Sequence, residues 1–128
     1  MPVAKSEVVS GEINRGQWAE FFSEFSKRNR ARATRMETFS DLGAQEEERD
    51  LPLKGISVEE NGTDAPRIEI ILGGASPDDE RHLTQVIARA VHVFPKTAAD
   101  GTDEALEIED ANGVKTLLIF ESLPELKR

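Results

Sequence analysis

The stretch ALEIEDANGVKTLLIFE near the carboxyl end constrains this chain most, because its pattern fits little other than a β-hairpin. Leu106 and Ile108 alternate with Glu107 and Glu109, the two-residue period of a strand with one wet face. Asn112-Gly113 follows, the dipeptide that best tolerates the two positive φ angles of a two-residue turn. Val114, Thr116, Leu118 and Phe120 then return on one face, with Leu117 and Ile119 on the other. A strand apolar on both faces belongs in the middle of a small sheet or barrel.

The 128 residues suffice for one core and one domain, expected over 13–122 between a flexible arm (1–12) and a short tail (123–128). With no cysteine, disulfides, thiolate nucleophiles and cysteine metal sites are excluded. The amino-terminal MPVAKSEVVSGEIN lacks the apolar run of a signal peptide, and no stretch reaches membrane-spanning length. A soluble cytoplasmic protein without a membrane association is therefore expected.

A helix is predicted from Asn14 to about Asn29. Asn14 suits an N-cap, Gln17 stands where it would complete a capping box, and Ile13 and Trp18 occupy the positions of a hydrophobic staple. Trp18, Phe21, Phe22 and Phe25 form one stripe at helical spacing, which reads as core. The segment RATRMETFS is extended in character, and DLGAQEEER reads as a polar connection. In LPLKGISVEENG, Leu51 and Leu53 share one phase and Ile56 and Val58 the other, with Gly55 between them. A glycine at a phase change predicts a bulge or bend that uses positive φ. RIEIILGG is another strand. From Ser76 to Phe94 the residues fit either a helix opened by Ser76-Pro77-Asp78-Asp79 or two short strands, HLTQVI and AVHVF.

The Trp18 helix, Gly43-Ala44-Gln45 with Asp50-Leu51-Pro52-Leu53, His82-Leu83-Thr84 and DEALEIEDANG together resemble a bacterial domain-of-unknown-function family, number 5335. The resemblance spans roughly residues 13–120 and implies extended backbone at VIARAVHV. It brings no activity, cofactor or catalytic residue. The expected fold is α+β: the helix packed on a strongly bent, mainly antiparallel sheet, a small SH3-like or Sm-like β-barrel.

Three functional readings compete. His82, with Asp78 and Asp79 nearby and His92 ten residues on, could bind a metal or serve hydrolysis, but the spacing matches no ligand motif. No G-x-S-x-G is present, and Gly73-Gly74-Ala75-Ser76 lacks the ending of a P-loop. No catalytic residue or cofactor is therefore expected. The second reading rests on KRNRARATR, where Lys27, Arg28, Arg30, Arg32 and Arg35 could meet RNA or an acidic partner. A net charge of −9 and the lack of interleaved aromatic residues disfavour nucleic acid. Compensation of the helix end and pairing with Glu46-Glu47-Glu48 offer a purely structural explanation. The third reading, preferred here, is a non-catalytic protein-interaction or regulatory module that binds a partner protein or self-associates.

Overall fold

A computed structural model describes residues 9–74 and 78–121. The order is β1 (Val9–Ser10), a 3-10 turn (Arg15–Gln17), α1 (Trp18–Asn29), β2 (Ala33–Ser40), β3 (Gly43–Glu59), β4 (Arg67–Leu72), β5 (Leu83–Ile87), β6 (Ala90–Thr97), β7 (Asp103–Asp110) and β8 (Lys115–Phe120). The strands form one antiparallel sheet in the order β1-β6-β7-β8-β2-β3-β4-β5. β8 lies between β7 and β2, as a strand apolar on both faces requires.

The α+β class holds, and the barrel does not. β1 and β5 end the sheet without pairing to each other, so two edges stay open where a barrel has none. The ambiguous 76–94 stretch supplies β5 and β6 rather than a helix, although Ser76-Pro77 lies outside the described residues. Within the expected arm, Val9–Ser10 pairs with β6, and the Ile13 N–H donates to the Val93 carbonyl at 2.9 Å. The expected tail lies outside the described residues.

The closing hairpin forms with a different turn. Asp110 N–H donates to the Val114 carbonyl and Gly113 N–H to the Asp110 carbonyl, both at 3.0 Å, which encloses three residues rather than two. Only Gly113 takes a positive φ, of 84°, as in a type I turn followed by a left-handed residue. The Asp110 carboxylate draws the chain toward that geometry by accepting from the N–H groups of Asn112 and Val114.

β3 is the organising strand, because what reads as a polar connection, GAQEEER, is its first half. That half pairs with β2, and the second half, from Leu53, pairs with β4. Register slips against β2 and again between Leu53 and Gly55 against β4, leaving Glu47, Asp50 and Lys54 as extra residues. Each such bulge bends a strand and increases its twist. The bulge expected at Gly55 is present, but its reason differs: Gly55 lies outside the left-handed region, whereas Asp50 takes φ 67°.

Helix α1 packs against β3. Trp18, Phe22 and Phe25 are buried together with Met36, Leu53, Ile70, Leu106 and Leu118 of the strands. The predicted capping box does not form, since Asn14 opens the 3-10 turn and makes no side-chain cap. The turn is held instead by Trp18 Nε1, which donates to the Ile13 carbonyl at 3.1 Å. No helix among the described residues is long and apolar enough to cross a membrane.

Candidate functional site: a cationic groove between the helix and β3

β2 ends its pairing with β3 at Pro52, so the adjoining edge of the second half of β3 needs another cover. The chain leaving α1 supplies it. Ala31 N–H donates to the Leu53 carbonyl at 2.9 Å, and Leu53 N–H to the Arg32 carbonyl at 3.0 Å. One turn further back, the Ser26 hydroxyl accepts from the Ile56 N–H at 2.9 Å and reaches the Ile56 carbonyl at 3.4 Å. A single serine thus takes the place of a strand residue and fixes α1 along the β3 edge.

Two adjoining clefts open along this seam. The larger, of about 520 Å³, is lined by Ala31, Ala33, Asp50, Pro52 and Leu53. The smaller, of about 450 Å³, runs between Ala19, Ser23 and Lys27 of the helix and Gly55, Ser57 and Ile71 of the sheet. Arg30 and Lys54 line both clefts. Volumes of this size fall in the range of ordinary ligand sites.

The basic segment divides its labour. Arg28 donates through Nε to the Asp103 carboxylate at 2.6 Å, and its pKa is raised by that hydrogen bond, against the opposing effect of burial. Asp103 is buried and also accepts from Asn29 Nδ2 at 2.8 Å. Arg32 donates to Asn29 Oδ1 and to the Asp103 carbonyl, and lies 4.2 Å over the Phe120 ring. Arg35 pairs with Glu37. These three arginines bind the helix end and β2 to their surroundings, with Asp103 and Glu37 as partners rather than the glutamate run. Of that run, Glu47 accepts from Thr38, and the Glu48 side chain lies outside the described residues.

Lys27 and Arg30 are exposed and, with Lys54, make no ion pair or side-chain hydrogen bond among the described residues. Lys54 is the site residue that sequence reasoning missed, standing far from the basic run and brought beside it by the β3 bulge. Its signal was glycine. A Cβ at Gly73 would collide with the Lys54 stem, whereas a Cβ at Gly55 would meet nothing within 4 Å. Gly73 therefore makes room for the lysine, and Gly55 leaves the groove floor bare.

The other candidates are not brought together. Asp79 is held by Arg81, with the closest contact at 2.8 Å, and His82 stands exposed before β5. His92 pairs instead with Glu12 at 2.6 Å. Among the described residues no group of three or more histidine and acidic side chains could hold a metal.

The chain matches no curated protein and no solved structure. Residues 9–128, nearly the whole chain, match a sequence family, and the chain belongs to it: the family of unknown function DUF5335.

Proposed function

We propose that this protein is a non-catalytic binding module that docks an acidic segment of a partner protein in the groove between α1 and β3. The observation that carries this reading is three cations, Lys27, Arg30 and Lys54, that make no ion pair among the described residues and outnumber the one carboxylate, Asp50, lining the same groove on a chain of net charge −9. Cations gathered in a concave site focus the local potential and attract an opposite charge. A peptide suits the lining better than RNA does. No aromatic side chain lines either cleft, and single-stranded nucleic acid depends on such platforms for stacking.

Fluorescence anisotropy with a labelled oligoglutamate peptide tests the reading, with single-stranded RNA of equal charge alongside. Binding should weaken with added salt and disappear in the Lys27→Ala, Arg30→Ala, Lys54→Ala triple variant. The reading falls if the peptide fails to bind, if the triple variant binds it unchanged, or if the RNA binds more tightly than the peptide. Native mass measurement reports whether the partner is a second copy of the chain.

A further inference from the structure

We infer that the groove recognises an acidic residue next to an apolar one, the acidic group seated between Arg30 and Lys54 and its apolar neighbour in the larger cleft. The inference rests on the docking reading above and gives it a sequence preference. Arg30 and Lys54 alone line both clefts, so an anion held by both sits at their junction. From that junction the larger cleft leads away past Ala31, Ala33, Pro52 and Leu53, side chains with nothing to offer a carboxylate, and past Asp50, whose own charge turns a second carboxylate away. Its volume of about 520 Å³ accommodates a leucine-sized side chain with room to spare.

The glycines fix this arrangement. Gly73 leaves room for the Lys54 stem, which lies where a Cβ at position 73 would stand, just past the end of β4. Gly55 leaves the floor beside that junction without a side chain, so an extended peptide backbone can pass close to β3. Neither glycine has a positive φ, so backbone conformation does not require either of them. A simple patch of surface charge needs neither feature and would accept any polyanion equally.

The test compares two labelled peptides on the wild-type protein: oligoglutamate carrying one central leucine, and the same peptide with serine at that position. The leucine peptide should bind about tenfold more tightly, from burial of its apolar side chain. An Ala33→Phe variant fills the larger cleft and should erase that preference, so that the two peptides bind it equally. Trp18 emission reports that this variant is folded. Equal wild-type affinities for the two peptides, both lost in the triple variant, overturn the inference and leave the docking reading standing. A leucine preference that survives Ala33→Phe overturns the assignment of the larger cleft. Failure of both peptides to bind removes the docking reading and this inference together.

Discussion

A valine at position 55 separates the two reasons a glycine can stand in a strand. Positive φ was the sequence expectation, and under it the substitution would be severe. The structure instead gives Gly55 an unstrained backbone, with open space where its Cβ would stand. Gly55→Val should therefore change stability by less than about 0.5 kcal/mol, as at an ordinary surface position. The same branched side chain would stand in the groove and lower oligoglutamate affinity by about tenfold. Urea melts and anisotropy on one protein preparation check both halves. Real strain lies at Ala31, with φ 74°, where the chain turns from α1 into β2. Ala31→Gly should raise stability by about 0.5–1 kcal/mol, the left-handed penalty less the entropy of glycine, as read from the urea midpoint. Nothing in the sequence marks Ala31, because alanine is unremarkable in a helix and only the tertiary path forces it left-handed.

Among the elements, α1 was legible because four aromatic side chains repeat at helical spacing, and three of them are buried to within 1%. Trp18→Ala should cost about 3–5 kcal/mol, with native Trp18 emission blue-shifted and moving red on unfolding. Emission at the fully solvated position in the folded protein would refute that burial. The capping box was misread because Trp18, through its bond to the Ile13 carbonyl, sets the start of the helix in place of the Asn14 side chain. β3 was half legible. Its apolar second half has a clear phase, but GAQEEER carries no alternation because it is polar at successive positions, with Gln45, Glu46 and Glu47 all exposed. The groove was illegible for a related reason: its two walls are separate segments of the sequence, joined by the Ser26 and Leu53 hydrogen bonds and shaped by the bulge at Lys54.

For the molecule as a whole, the join between the amino-terminal segment and β6 should respond to pH. The His92 pKa is raised first by its hydrogen bond to Glu12, then by the charges of Glu12 and Glu109, against desolvation. A raised imidazole stabilises the fold fully below its unfolded value, about 6.5, and that contribution is lost as pH rises through the folded value. Wild type should therefore exceed His92→Gln in urea midpoint at pH values below the unfolded value of about 6.5, with the gap closing as the pH is raised past it. A gap that stays constant over this range would deny the His92–Glu12 pair any part in it. The open sheet carries another consequence, for solubility. Among the described residues Gly43–Leu51 of β3 pairs on one side only, and negative side chains such as Glu46, Glu47 and Asp50 discourage another chain from adding there. The second half of β3 has no such guard. Its exposed edge is sealed by the Ser26 hydroxyl and the two backbone bonds after α1. If the helix detaches, Leu53–Val58 becomes an apolar, uncharged-but-for-Lys54 ribbon with bare N–H and C=O groups, a ready template for amyloid-type stacking. The helix that forms one wall of the groove thus also covers the stretch of β3 edge on which another strand could otherwise be laid.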